Sequence, residues 1–402
     1  MHAPGEGLRP GFLHPVVLET GAEGIVTLLA AWRTGAIPAP LHPRLTERER
    51  DVALSSLHGV PEGTQVVLWT SGTGGRARGV ALSFANLAAS AQAAAERLSL
   101  GPHDVWLASL SLAHVGGLAL VTRSLLFGGA VVVIGSYDVR IVAELLGGRE
   151  SSADPFPAIT HLALVPTQLL DLLDELRGRP PAQLRCALIG GAHAPADLVA
   201  RAHRAGWPLA LTYGATEMSS QIATADPELT RRKPGTVGRA LPGLELRLLG
   251  DGEVLAKGPT QAIGYVGHDV EPLADRDGWY RTGDVGRLDS DGDLWITGRR
   301  ADRIVSGGVT VDAIEVEEAV RTHPSVIDVC VVGLPDDRWG EKVAAWIEPV
   351  VGEFDVERIE SHLAATLSAP KLPRLWHVGG ELPRNAIGKL DRLKVRETLA
   401  EK

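Results

Sequence analysis

Up to Arg231 the chain alternates between short apolar runs of strand length and longer stretches with helical spacing. That alternation restricts it to an α/β architecture. Gly24 to Thr34 has the spacing of a helix, and Ala36 to Leu41 reads as a strand after Gly35. Gln65 to Trp69 is a strand that runs into a glycine-rich loop, and Ser83 to Leu98 is an alanine-rich helix with Asn86 in its first turn. Val105 to Ser109 and Ala130 to Ile134 are continuous apolar runs, as expected of strands covered on both faces. Leu162 to Val165 and Cys186 to Ile189 repeat the theme, each beside a helical stretch.

After Arg231 the texture changes. Leu244 to Leu249, Glu253 to Ala256 and Leu294 to Thr297 are short strands between turns such as Gly250-Asp251-Gly252 and Ser290-Asp291-Gly292-Asp293. They point to a β-rich subdomain over about 232–299. A compact α+β unit follows, with a helix over Val311 to Thr322, strands over Val326 to Leu334 and Lys342 to Val350, and a helix over Asp355 to Thr366. At 402 residues the chain is too long for one ordinary core of about 150 residues. The expected division is an N-terminal domain over 1–299 and a C-terminal domain over 300–402, with the boundary near Arg299–Asp302.

Bulk properties exclude several classes. Hydrophobic residues make up 45% and charged residues 22%, as in an ordinary globular protein. The net charge is −9 and no basic block stands out, which argues against a nucleic-acid partner. No run approaches the roughly 18 apolar residues of a membrane span, and Met1 to Pro15 lacks the pattern of a signal peptide. The two cysteines, Cys186 and Cys330, sit in apolar strand-like runs, as buried thiols do, and no metal-ligand spacing accompanies them. A reducing, cytoplasmic setting fits.

Four segments carry chemistry. Thr70-Ser71-Gly72-Thr73-Gly74-Gly75-Arg76-Ala77-Arg78-Gly79 follows a strand, and its glycines and hydroxyls suit a loop wrapped around polyphosphate. It is not a Walker loop, since no Gly-Lys-Ser/Thr ends it. In Tyr213-Gly214-Ala215-Thr216-Glu217 a carboxylate beside a hydroxyl can hold Mg²⁺ against phosphate oxygens. In Trp279-Tyr280-Arg281-Thr282-Gly283-Asp284, with Gly298-Arg299 downstream, an aspartate can accept from ribose hydroxyls and an arginine can neutralise phosphate. Pro383-Arg384-Asn385-Ala386-Ile387-Gly388-Lys389 places a lysine on a tight turn. Taken singly, each has a plain structural reading: a surface hairpin, a strand end, a turn, a solvated lysine.

Together, in this order and spacing, the four segments resemble the adenylate-forming superfamily of acyl-CoA synthetases, luciferases and peptide-synthetase adenylation domains, over about Gly21 to Lys402. The resemblance implies a large N-terminal α/β domain with a β-rich subdomain, plus a small mobile C-terminal α+β domain. It implies an AMP-forming acid–CoA ligase that uses ATP, Mg²⁺ and CoA on a small carboxylic acid, and it allows a homodimer. Thr70, Ser71, Gly72, Thr73, Gly74 and Gly75 would orient the phosphates, and Thr216 and Glu217 would serve ATP and Mg²⁺. Gly190, Gly191 and Ala192 with Tyr213 and Gly214 would flank the adenine. Asp284 would bind ribose, Arg299 ribose or phosphate, and Lys389 would bridge carboxylate and α-phosphate. The domain would turn about Arg300–Ala301 between half-reactions.

The sequence departs from the superfamily pattern at Gly74, Ala77 and Arg78, where threonine, proline and lysine are usual. It departs again at Gly307-Gly308-Val309-Thr310, where Gly-Gly-Glu-Asn is usual. Relatives also carry a further segment before the helix at Gly24. Within the superfamily, Ser109 to Leu118 with His114, then Arg123-Ser124, and Tyr213 to Ile222 resemble the o-succinylbenzoate–CoA ligases of menaquinone biosynthesis. The small Ala301 after Gly298-Arg299-Arg300 agrees. His114, Arg123, Ser219, Ser220 and Gln221 are then the expected acid-binding residues. A ligase for a medium-chain or aromatic acid, and a catalytically weakened nucleotide-binding relative, remain the alternatives at this point.

Overall fold

Strand residues in the first half of the chain divide by parity between two apolar layers. Leu162 and Leu164 pack into one buried cluster with Val105, Leu107, Ala187, Ile189, Leu209 and Leu211. Their neighbours Ala163, Trp106, Ala108, Cys186, Leu188 and Ala210 pack into another. A period of two with both faces buried requires a helical layer on each side of the sheet. The computed structural model has this arrangement. It describes residues 8–18, 21–55, 57, 59–70, 78–147, 157–177, 179–267, 272–350, 354–385 and 389–401.

The sheet has seven strands in the spatial order Arg239–Ala240, Ser220–Ala225, Leu209–Ala215, Cys186–Ile189, His161–Leu164, Val105–Ala108, Ala130–Val133. The last five of these are mutually parallel, and Ser220–Ala225 returns antiparallel to Leu209–Ala215. Helices Val139–Gly147, Pro166–Leu176 and Ala196–Arg204 cover one face through Val142, Leu146, Leu169, Leu172, Val199 and Ala202. Leu120, from helix Val115–Phe127, packs on the other face. Beyond Leu87, helix Phe84–Leu98 buries only small residues, Ser90, Ala91, Ala93, Ala94 and Ala95. Such small side chains let neighbouring backbones approach closely.

Helix Phe84–Leu98 starts at a capping box. Asn86 N–H donates to Ser83 Oγ at 3.1 Å, and Ser83 N–H donates back to Asn86 Oδ1 at 3.0 Å. A smaller three-stranded sheet pairs Val66–Thr70 with Arg78–Leu82, and Arg78–Leu82 with Gly264–Tyr265, all antiparallel. A parallel pair, Leu13–Val17 with Ile37–Leu41, lies outside the expected elements at its first strand.

The chain divides into two compact units. One comprises Met1–Arg247, Leu255–Thr282 and Leu288–Trp295, and the other Leu248–Val254, Gly283–Arg287 and Ile296–Lys402. The short strands Glu245–Leu248, Glu253–Lys257, Tyr280–Leu288 and Leu294–Arg299 form a four-stranded sheet in the order first, second, third, fourth. In the second unit, the long hairpin Val326–Asp336 and Gly340–Pro349 anchors a five-stranded sheet. One face of it packs Val329, Val331, Val343 and Ile347 against Val316, Val320, Ile359 and Leu363 of two helices. The other packs Cys330, Val332, Ala344 and Trp346 against Val395 and Leu399 of helix Arg392–Ala400.

One expected element changes. The helix read over Val311 to Thr322 is present as Ala313–Arg321, and its first two residues belong instead to a strand, Val309–Asp312. Gly307 and Gly308 have φ of +60° and +79°, which glycine adopts freely, and they reverse the chain. Val309 then pairs with Ser306 and Val311 with Ile304, and β-branched residues suit that ladder. Both cysteines lie in strands as expected, Cys186 at 3% exposure and Cys330 at 0%. Burial pushes both thiols up to about 12, so neither is a nucleophile at neutral pH.

Candidate active site

Carboxyl ends of parallel strands are where loops from an α/β sheet converge on ligands. In the first unit, Cys186–Ile189 leads into Gly190, Gly191 and Ala192, and Leu209–Ala215 carries Tyr213 and Gly214 before the single turn Thr216–Met218. These strands are adjacent, with Ala187 opposite Leu209, so two of the expected nucleotide segments lie side by side. Both depend on glycine. A Cβ on Gly214 would fall 1.8 Å from the Ser220 carbonyl oxygen, and one on Gly190 would fall 2.6 Å from Thr212 Cγ2. Ser71, Gly72, Thr73, Gly74 and Gly75 lie outside the described residues. Thr70 and Arg78 are opposite one another where the loop leaves and re-enters its hairpin. The shielded Thr70 hydroxyl has no hydrogen-bond partner among the described residues.

Glu217 is 6% exposed, and the Tyr265 hydroxyl donates to its Oε1 at 3.1 Å. Among the described residues no lysine or arginine pairs with this carboxylate. A buried carboxylate with one oxygen hydrogen-bonded and no cation is a fitting ligand for a divalent metal ion. The segment that delivers Tyr265 is tied down three times. Asn86 Nδ2 donates to the Pro259 and Gln261 carbonyls at 3.0 and 2.8 Å, Ser219 Oγ to the Thr260 carbonyl at 2.7 Å, and Ala262 N–H to the Glu217 carbonyl at 2.8 Å.

The expected acid-binding residues fall into two sets. Arg123, from helix Val115–Phe127, is 2% exposed, and its Nη2 donates to Gln221 Oε1 at 3.1 Å. Its guanidinium carbon lies 5.9 Å from the Trp106 ring centroid. Arg123 Nε and Gln221 Nε2 have no hydrogen-bond partner, and no carboxylate pairs with Arg123 among the described residues. Burial pulls this guanidinium down to about 10, still a cation at neutral pH. His114 caps the same helix, 5.4 Å from His42 ring to ring. Ser219 and Ser220 have φ of +54° and +116°. The Ser219 hydroxyl proton is committed to the Thr260 carbonyl, and its own carbonyl accepts from Ser90 Oγ at 2.7 Å.

In the second unit, Asp284 is 6% exposed and accepts from Arg299 Nε at 2.6 Å. The Lys389 turn is closed by Asn385, whose N–H donates to the Lys389 carbonyl at 2.8 Å and whose Oδ1 accepts from Lys389 N–H at 3.0 Å. Burial lowers the Lys389 ammonium from the ordinary lysine value; the charge of Arg299 acts the same way, and Asp284 opposes both. The three residues expected to serve ribose, phosphate and carboxylate thus share one electrostatic neighbourhood. A separate acidic group, Asp289, Asp291 and Asp293, already holds a cation: Lys233 Nζ lies 2.8, 2.5 and 2.6 Å from their carboxylates.

The family model described as AMP-binding enzyme matches residues 59–266, and that described as AMP-binding enzyme C-terminal domain matches residues 315–389. The chain belongs to the AMP-binding enzyme family. This AMP-binding enzyme is 31% identical to a 2-succinylbenzoate–CoA ligase of Bacillus cereus (strain AH820), over 100% of this chain and 91% of the relative. It is 35% identical to another from Bacillus mycoides (strain KBAB4), over 85% and 71%. Among solved structures it resembles the o-succinylbenzoate CoA synthetase of Bacillus subtilis in complex with its acyl-adenylate intermediate. The TM-score is 0.88 and the identity 28%, over 96% of this chain and 88% of that one. The same synthetase with ATP and magnesium ion gives a TM-score of 0.87. The expected fold class and the expected enzyme class, an AMP-forming acid–CoA ligase, both stand. Among the described residues no helix is long and apolar enough to cross a membrane.

Tyr265 and Asn86 were not among the expected site residues. In the sequence Asn86 stood out only as a residue of a helix's first turn. The dipeptide Gly264-Tyr265 carries no local sign of a carboxylate 48 residues away.

Proposed function

We propose that this enzyme is a 2-succinylbenzoate–CoA ligase acting in menaquinone biosynthesis. The observation that carries the reading is Arg123: a buried cation, paired with a neutral amide, with donors to spare. 2-Succinylbenzoate has two carboxylates, and only one is activated. The other needs buried donors, since an unpaired carboxylate taken from water costs several kcal/mol. Arg123 and Gln221 supply charge and N–H donors to it, and His114 is the further acid-binding residue that the family resemblance implies. Ser219 adds only lone pairs, so it shapes the hairpin, while Ser220 stays beside Gln221 as a further polar contact. A simple fatty acid would leave Arg123 with nothing to neutralise.

In the first half-reaction a carboxylate oxygen of the acid attacks the α-phosphorus of ATP. The bond to the bridging oxygen breaks, and pyrophosphate leaves with the electron pair. In the second, the CoA sulfur attacks the acyl carbon, its proton passes to solvent, and AMP leaves. Bound Mg²⁺ supplies charge neutralisation at the polyphosphate. Glu217 and Thr216 would hold it, and Tyr213 with Gly190, Gly191 and Ala192 would form the adenine slot. Asp284, oriented by Arg299, accepts from the ribose hydroxyls. Lys389 sets a positive charge between the attacking carboxylate and the α-phosphate, where charge concentrates during adenylation only. A turn of the C-terminal domain about Arg300–Ala301 would then withdraw Lys389 before thioester formation.

The test offers purified enzyme 2-succinylbenzoate, benzoate, succinate and octanoate at equal concentration, with ATP, Mg²⁺ and CoA, and reads AMP. 2-Succinylbenzoate is expected to give the highest kcat/KM. A higher value for octanoate or benzoate would leave the ligase class standing and overturn the substrate.

A further inference from the structure

A buried carboxylate that is to hold a metal–nucleotide must be fixed in rotation, because two oxygens on a free χ3 would present the ion with a moving target. Glu217 is the one carboxylate in the Tyr213–Gly214–Ala215–Thr216–Glu217 segment, and its Oε1 is taken by the Tyr265 hydroxyl at 3.1 Å. That leaves Oε2 for a cation. Tyr265 is 7% exposed, and it reaches Glu217 from the strand Gly264–Tyr265, whose partner is Arg78–Leu82. The same partner strand begins with Arg78, and its guanidinium lies over the Tyr265 ring, 4.2 Å from the centroid.

We infer that Tyr265, with Arg78 stacked on its ring, is a positioning residue that sets the Glu217 carboxylate for the metal–nucleotide; this rests on the adenylation reading above. Three features of the chain support it. First, the approach of Tyr265 is built in: Asn86, Ser219 and the Glu217 backbone all bind the segment Pro259–Ala262 just before it. Second, Arg78 stands where the superfamily pattern has lysine. A planar guanidinium can lie flat on an aromatic face, which a tetrahedral ammonium does less well, so the exchange is suited to this stack. Third, a cation against the ring polarises the phenol and strengthens its hydroxyl as a donor to the carboxylate. The strand that begins at Arg78 and the metal ligand Glu217 are thereby coupled through one side chain.

A merely structural role would satisfy a buried carboxylate and do nothing else, so the test measures metal binding apart from turnover. Mn²⁺ binding is titrated by electron paramagnetic resonance in the presence of saturating ATP and no acid, for the wild type and for Tyr265→Phe. The variant is expected to bind Mn²⁺ about tenfold more weakly. Its pyrophosphate release should fall by a similar factor and recover in part at high Mg²⁺, while thioester formation from supplied acyl-adenylate is unchanged. Arg78→Lys keeps the charge and loses the planar stack, and should weaken Mn²⁺ by about threefold; it decides the matter if Tyr265→Phe does not fold. Unaltered Mn²⁺ affinity, or an equal fall in both half-reactions, would overturn the inference. Absence of pyrophosphate release from the wild type with every acid would instead overturn the adenylation reading, and the Mn²⁺ titration would still judge Tyr265.

Discussion

Replacing Arg123 with methionine should make the protein more stable and a worse enzyme for its own acid. Burial pulls the guanidinium from 12.5 to about 10, and each tenfold change corresponds to about 1.4 kcal/mol, so holding the charge inside costs on the order of 3 kcal/mol. Methionine fills much the same volume with no charge. It forfeits the charge-assisted hydrogen bond to Gln221, worth about 1.5–3 kcal/mol. The net expectation for Arg123→Met is stabilisation by up to about 1.5 kcal/mol, read as a higher denaturant midpoint for the first unit. The functional effect runs the other way. A substrate carboxylate left buried opposite methionine loses about 2–5 kcal/mol, which lowers kcat/KM for 2-succinylbenzoate by a factor of about 30 or more. Benzoate has no second carboxylate, and its weak turnover should change less than threefold by the same reasoning. Marked destabilisation of Arg123→Met, or an equal loss for both acids, would show that the arginine serves the fold and refute the argument.

Other expectations follow from the remaining groups. Lys389→Ala should abolish adenylation and keep thioester formation from supplied acyl-adenylate; equal loss in a single-turnover assay of each half-reaction would remove its assigned role. Ala301→Pro, which fixes φ near −65° in the turn Arg300–Asp302, should slow thioester formation more than adenylation, and parallel loss in a folded variant would refute the hinge. His161, 1% exposed and stacked 4.7 Å from the Trp106 ring, is lowered by burial from 6.5 to about 4. The unfolded chain therefore binds this proton first as pH falls. The protein should lose stability from His161 between about pH 6.5 and 4, by up to roughly 3 kcal/mol, and keep it above that window. Urea midpoints at pH 7.5 and 5 measure the slope, and His161→Phe should flatten it; an unchanged slope would assign the acid sensitivity elsewhere.

Much of the fold was legible because local pattern is local physics. Apolar runs such as Leu162 to Val165 and Cys186 to Ile189 identify strands covered on both faces, and the alanine-rich run Ser83 to Leu98 reads as a helix. Gly214, Glu217, Asp284, Arg299 and Lys389 stood out because the segments that carry them resemble, in order and spacing, the adenylate-forming superfamily. What the sequence left open were the partners. The family resemblance singled out Arg123 and Gln221 separately, and the antiparallel return at Ser220–Ala225 is what brings them together across 98 residues of chain. Tyr265 becomes a neighbour of Glu217 only when Gly264–Tyr265 pairs with the hairpin at Arg78. Val309–Asp312 is a strand and not the start of a helix because two glycines at positive φ fold it onto Arg303–Ser306. Periodicity and composition specify which face of an element is buried, since burial free energy depends on each side chain separately. They do not specify which side chains meet, since a contact depends on the crossing order of strands far apart in sequence, and that order is settled by the packing of the whole sheet.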